Sequence, residues 1–319
     1  MNDVRELLAC PACRADLAAD WTCVACGARF DAPDDIPSLR LGADSRVEAV
    51  RTFYEAAPFP GYPERDSLST FRARAERSRF TQLLDRAVPG GARIAEVGCG
   101  TGQMSLYLAS GDRLVVAADL SRSALRLGTS AARRFGVTGV HFVETDLHQS
   151  ALRSHAFDVV YSSGVLHHTP NPREAFAHVA RLARPGGMVI VGVYNSVARV
   201  PLRLRRTVAR ATGFRFIPFD PVLRERDHER ARREAWVRDQ YRHPEEHSHT
   251  VGEVARWFAE NDIGYLRSFP STVLDDDSED LFSPAVDDWA IERWIAQVGW
   301  MRSLGGEGGL FFTIGVRRT

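Results

Sequence analysis

The stretch RIAEVGCGTGQMSLYLA (residues 93–109) decides the fold. A β-rich apolar run ends in three glycines at alternating positions, and an apolar helical pattern follows at once. Gly98, Gly100 and Gly102 let the backbone turn sharply out of a strand and approach a ligand where side chains would collide. A dinucleotide fingerprint would place its third glycine at position 103, and this chain has Gln103 there. Glu96, entering the loop, would repel a phosphate but can balance a cationic ligand, directly or through water. Seventeen positions beyond Gly102 a second β-rich run ends in Asp119, whose carboxylate can accept both hydroxyls of a ribose.

Outward from this stretch, short β-rich runs alternate with helical patterns. The runs are RIAEV (93–97), LVVAAD (114–119), VHFVETD (140–146), FDVVYSS (157–163) and GMVIVGVYN (187–195). Between them lie SRSALRLGTSAARRFG and PREAFAHVARLARPGG, the latter with Pro172 at a helix start and Gly186 and Gly187 past its end. Such alternation predicts a parallel sheet covered on both faces, with ligands at the carboxyl ends of its strands. A nucleoside carrying positive charge and no phosphate fits the glycine loop, Glu96 and Asp119. S-adenosylmethionine (SAM) is such a molecule.

These residues resemble the class I SAM-dependent methyltransferases of the type 11/12 kind. The likeness covers about residues 93–195, through EVGCGTG, AADLS, ETDL, FDVVYSSGVLHH and ARPGGMVIVGVYN. It implies an α/β fold, a Rossmann-like seven-stranded sheet with helices on both faces, and SAM as cofactor. By the same resemblance Glu96, Gly98, Gly100 and Gly102 would hold the methionine part, Asp119 the ribose, and Asp146 with Leu147 the adenine, while Gln103, Leu120 and Gly164 complete the cofactor set. His167 and His168 follow the fourth run, where the acceptor meets the methyl group in this superfamily. Either is a candidate catalytic base near neutral pH, against the alternative of packing or positioning. SGVLHH stands where base-methylating enzymes of DNA carry an Asn/Asp-Pro-Pro-aromatic string, and no acid set for a catechol-type magnesium site is evident. Cys99 inside the loop reads as a small residue tolerated by close packing in preference to a nucleophile.

Four of the five cysteines form two C-x-x-C pairs, Cys10 with Cys13 and Cys23 with Cys26, nine residues apart. Each pair can present two thiolates to one tetrahedral metal, and Gly27 permits the turn that aims amides at sulfur. Two disulfides are the alternative, disfavoured by the absence of any export signal in MNDVRELLAC. The pairs resemble the Trm112-like zinc-ribbon segments fused to, or partnered with, several methyltransferases, which implies a structural Zn2+ with no open position. The following DAPDDIPSLRLGADS reads as a linker. The expected organisation is a zinc ribbon and linker over 1–42, a helical lid segment over 43–90, and the methyltransferase domain over 91–319 with insertions at about 197–247 and 271–306. In the lid segment FYEAAPFPGY (53–62) offers Phe53, Tyr54 and Phe59 to cover the cofactor, Tyr54 being a further catalytic candidate, or else a helix packed on the core.

The insertions hold the residues that no cofactor motif explains. RVPLRLRRTVARATGFRF is basic at helical spacing, a solvated face or a contact for an anionic substrate or RNA. Tyr194, Asn195, Arg199, Tyr241, His243 and His247 are the candidate acceptor-binding residues, with His249, Thr250 and Glu253 alternatively opening a helix. A formal net charge of zero gives no basic excess for nucleic acid, and no run is apolar enough to span a membrane. All 41 basic residues are arginine, which excludes lysine chemistry. The expected protein is thus a cytoplasmic enzyme methylating a small-molecule acceptor. The alternatives are an RNA methyltransferase, or a SAM-binding scaffold with a protein partner on the ribbon.

Overall fold

The computed structural model describes residues 4–319 except 43–47, 49–50, 53–54, 56–57, 59, 221–222, 224–235, 238–239, 242–245, 274–275, 277, 286–288 and 305–307. The five β-rich runs form strands that are apolar on both faces, as strands sandwiched between helices must be. β1 (Arg93–Val97), β2 (Leu114–Asp119), β3 (Val140–Glu144), β4 (Phe157–Ser163) and β5 (Ala183–Tyr194) pair in parallel. With β6 (Ile263–Phe269) and β7 (Leu310–Arg317) they complete a seven-stranded sheet of order β3-β2-β1-β4-β5-β7-β6. This is the Rossmann-like arrangement expected, with one departure: β7 runs antiparallel to both neighbours. Gly309, just ahead of β7, accepts the amide of Asn195 at the carboxyl end of β5, so the last strand can only run back. β1 pairs with both β2 and β4, so the strand order reverses beside the glycine loop and opens a crevice there.

Helices α1 (Leu68–Ala75), α2 (Arg79–Ala87), α3 (Gln103–Ala109) and α4 (Arg122–Phe135) cover one face, through Phe71, Phe80, Leu106, Leu125 and Phe135. On the other face α5 (Pro172–Ala180) and α7 (Val251–Glu260) contribute Phe176, Val179, Val254 and Phe258. Two further helices, α6 (Val200–Ala211) and α8 (Ala290–Ser303), lie in the insertions. Ser67, Ser78, Ser121, Asn171 and Thr250 each cap the helix that follows by accepting a backbone N–H. Thr250 opens α7 as expected, but the Glu253 carboxylate pairs with His249 Nδ1 at 2.8 Å. α5 ends at Ala180, short of the glycines, and the ARPGG segment instead enters β5 with a register shift against β4.

The N-terminal module is not set apart from this core. Leu7, Leu8 and Cys10 are buried in the same cluster as Phe176 and Phe258. The stretch read as a linker has Ile36 and Leu39 fully buried, and Ser38 pairs in parallel with Glu144 at the end of β3. Its apolar residues are what a solvated linker would lack. Among the described residues no helix is long and apolar enough to cross a membrane.

Candidate active site

The loop after β1 is fixed by its own backbone and by Asp119. Gly98 N and Cys99 N both donate to Ala118 O, and Gly100 N donates to Asp119 Oδ2 at 2.7 Å. Gly98 has φ 73° and presses against Val165, where a Cβ would fall 2.1 Å from a methyl group. Gly102 opens α3 in the left-handed conformation against Phe142. Asp119 Oδ1 accepts Ser121 N, also at 2.7 Å, so this carboxylate organises two loops at once.

Beneath them lies a cavity of about 420 Å³. Glu96, Gly98, Gly100, Gln103, Asp119, Leu120, Asp146, Leu147, Gly164 and His168 all line it. Its lining includes two carboxyl groups, the buried one of Glu96 and the half-buried one of Asp119. Burial drives Glu96 up to about 7, partly offset by its bonds from the Ser105 hydroxyl and amide, while the Asp119 charge adds to the rise. Asp119 is raised too, first by burial, against the amides of Ser121 and Gly100 that hold its ionised form. Burial and these two carboxylates push the Cys99 thiol well up, so it stays protonated and is no nucleophile.

Several sequence candidates fall elsewhere. Gly102 does not line the cavity; its part is the turn into α3. His167 is fully buried behind His168, its ring 3.9 Å from that of Tyr194 and its carbonyl accepting His247 N, so it has no access to an acceptor. The proposed acceptor set is likewise internal. The Arg199 guanidinium lies 3.7 Å over the Tyr194 ring and bonds Gln240, Gly308 O and Glu246, while Gln240 donates to the Tyr194 hydroxyl at 2.7 Å. Asn195 bonds Gln297 on α8 and accepts from Val197 N and Ala198 N, and the Tyr241 hydroxyl donates to Asp220. None of these residues, nor His247, lines the cavity. They hold the insertions to β5. Tyr54, with Phe53 and Phe59, and His243 lie outside the described residues. The acidic run of the second insertion sends Glu279 to Arg79 and Arg86 on α2, away from the cavity.

Arg51, Pro58, Pro60, Tyr161, Ser163 and His148 also line the cavity, and none is singled out in the sequence, although Pro58 and Pro60 lie in FYEAAPFPGY and Tyr161 and Ser163 in FDVVYSS. The first three come from the segment ahead of α1. Glu55 caps α4 by accepting from Arg122 N and Ser123 N, and further along the segment the Tyr62 hydroxyl donates to Thr101 O at 2.8 Å.

Residues 95–191 match the methyltransferase domain family. The match supports a class I SAM-dependent methyltransferase domain and covers the strands that build the cavity. An uncharacterized protein of Synechococcus sp. is 29% identical over 250 residues, covering 70% of this chain and 60% of that protein. An uncharacterized methyltransferase of Mycobacterium bovis is 33% identical over 113 residues, 35% of this chain and 56% of its own length. The ubiquinone biosynthesis O-methyltransferase of Aromatoleum aromaticum is 32% identical over 142 residues, 41% of this chain and 56% of its own. The chain therefore spans less than two thirds of the length of these relatives.

Beside the methyltransferase domain, Cys10, Cys13, Cys23 and Cys26 bring their sulfurs within 4.8 Å of one another and form no disulfide. Cys10 and Cys26 lie 3.7 Å apart and Cys13 and Cys23 3.4 Å, close to the edge of about 3.8 Å for a tetrahedron with metal–sulfur bonds of about 2.3 Å. The amides of Cys26 and Ala25 aim at Cys23 and lower its thiol to about 6. The donor set fits a tetrahedral soft metal. His148, Glu174 and His178 form a second group of comparable spacing, on α5 and the loop after β3.

Proposed function

We propose that this chain is a SAM-dependent methyltransferase acting on a small molecule. One observation carries the reading: a cavity at the carboxyl ends of β1, β2 and β4 lined by the buried carboxyl of Glu96 and the half-buried one of Asp119. Withdrawing carboxylates from water is costly unless hydrogen bonds or a cation compensate them, and a sulfonium with an α-amino group supplies such a cation. A volume of about 420 Å³ lies in the range of small-molecule sites. The 32% identity to an O-methyltransferase of ubiquinone biosynthesis supports the same substrate class.

SAM supplies an electrophilic methyl group, whose bond to sulfur breaks as a nucleophile of the acceptor bonds the carbon. This chain's residues align and shield. Lining the cavity, Glu96 would face the cationic end, Asp119 the ribose, and Asp146 with Leu147 the adenine side. Gly164, past β4, lines the cavity with the other proposed cofactor residues, and His168 beyond it would meet the acceptor. His168 is positioned to take a proton where the acceptor carries one, or to position that acceptor. Arg51, Pro58 and Pro60 line the cavity from the segment ahead of α1 and would shield a bound cofactor from water. We further read the four cysteines as ligands of one structural Zn2+ with no open position. Labelled methyl transfer from SAM into fractionated cell extract tests the reading. Label in small molecules supports it, label in RNA moves the acceptor class, and SAM binding without any transfer overturns it.

A further inference from the structure

α6 is apolar on two opposite faces. Leu202 and Ala209 are buried against Tyr241, Phe214 and Ile217. At 100° per residue Val200, Leu204 and Val208 point the other way, into solvent, with Leu204 67% exposed. The turn that follows adds Phe216 and Phe219, the latter 73% exposed. Exposed Arg203, Arg210 and Arg215 flank this stripe, and no Asp or Glu occurs between Glu174 and Asp220. Helix α8 carries a second such face, in which Ile291, Trp294 and Ile295 are exposed after an exposed Trp289.

Both helices rise from the carboxyl end of β5. Asn195, which follows that strand and precedes α6, bonds Gln297 of α8 at 2.8 Å, and Arg199 reaches Gly308 just beyond α8. The same end carries His168, whose ring lies 5.8 Å from Tyr194 and which lines the cavity. Both helices therefore stand at the same end of the sheet as the cavity. The α6 stripe, apolar, edged by arginine and without acids, is the chemistry that seats on anionic lipid, and α8, which carries Glu292 in its first turn, adds apolar area beside it. Two copies of such a surface would repel each other, and exposed aliphatic side chains gain little from a phosphate backbone.

We propose that α6 with its following turn, together with α8, docks this protein on an anionic lipid surface, so that the acceptor side of the cavity faces the headgroup layer. The proposal rests on the methyltransferase reading only for the identity of what enters, which would be an acceptor dissolved in lipid. The test is co-sedimentation of the full chain with phosphatidylcholine vesicles and with vesicles enriched in phosphatidylglycerol. We expect binding to the anionic vesicles, weakened by salt, with a blue shift of the emission from Trp289 and Trp294. The double variant Leu204→Glu, Phe219→Glu should lose about tenfold or more of this binding while its SAM affinity, measured by calorimetry, is unchanged. Absence of binding to anionic vesicles, or equal binding by the variant, overturns the proposal. So does a dimer in solution that the same substitutions dissociate, since the face would then belong to a second copy. Loss of SAM binding in the wild-type chain would instead strike the methyltransferase reading and leave vesicle docking to stand on its own result.

Discussion

If the four cysteines of the N-terminal module hold the metal we propose, its removal should weaken SAM binding while leaving the sheet folded. The module grips the segment that forms one wall of the cavity. Ala9 N donates to Ala151 O at 2.7 Å and Arg153 N donates to Leu7 O at 2.9 Å, while the Arg14 guanidinium holds Ser150 O and Leu152 O. Thr145, Asp146, Leu147, His148 and Ser150, all cavity-lining, sit in or next to that grip. Four bonds at about 0.5–1.5 kcal/mol each order the segment by about 2–6 kcal/mol. If cofactor binding must supply about half of that ordering once the module loosens, SAM affinity falls by about 1–3 kcal/mol, or about 5- to 150-fold. The assay is calorimetric titration of SAM into protein before and after chelation, with circular dichroism confirming that the core persists, and with Cys13→Ser as an independent route to metal loss. An unchanged Kd in the metal-free, folded protein would refute the reasoning and make the module a separate appendage.

The buried Glu96, raised to about 7, gives a pH signature: its ionised form is what a cation needs, so SAM affinity should rise between about pH 6 and 8, with proton release on binding that disappears in Glu96→Gln. Its effect on the free protein has the opposite sign. The unfolded chain gives up this proton near the ordinary carboxyl value, so stability contributed below that value is lost as pH rises toward 7 and beyond, which thermal melts across pH should show as a shallow decline. Asp119→Ala should weaken SAM by about 1–3 kcal/mol, through lost hydrogen bonds to the ligand and a loosened loop at Gly100 and Ser121, and calorimetry finding wild-type affinity would end the ribose assignment. Arg199→Met, which takes the guanidinium donor from Gly308 O and leaves Glu246 paired with Arg206 alone, should cost about 1–3 kcal/mol of stability in denaturant titrations and leave cavity chemistry intact in whatever folds. His168→Ala should lower methyl transfer about tenfold or more at unchanged SAM affinity, and full activity would assign this ring to packing.

The cofactor side was legible because its chemistry is local in the chain. A strand, a glycine turn and a helix in immediate succession need no long-range information, and Asp119 marks the end of the next strand in the same way. The acceptor side was not. Tyr194, Arg199 and Tyr241 stand out in the sequence as polar residues near a strand end, yet their partners, Gln240, Gly308 and Asp220, lie many residues away, and only folding shows that they satisfy one another. His167 and His168 are adjacent in sequence and face different surroundings, a distinction that depends on a single turn after β4. Residues 36–39 misled for another reason: the Pro and Asp around them dominate the local composition, while Ile36 and Leu39 alone decide that the segment is buried.

The pairing of Ser38 with Glu144 has a meaning for the protein's life in a concentrated solution. β3 is the outermost strand of the sheet on its side, and an outermost strand offers unpaired amides and carbonyls to any passing chain. Here Leu39 N donates to Glu144 O and Glu144 N donates to Pro37 O, and Val4, Leu8, Trp21 and Pro37 stand along the groove beside Val140 to Val143. Arg40 and Arg122 close on Glu144 from both sides and hold the cover in place. The amino-terminal module thus pairs the end of the edge strand at Glu144, and a chain deprived of it would leave that end open to a neighbouring chain.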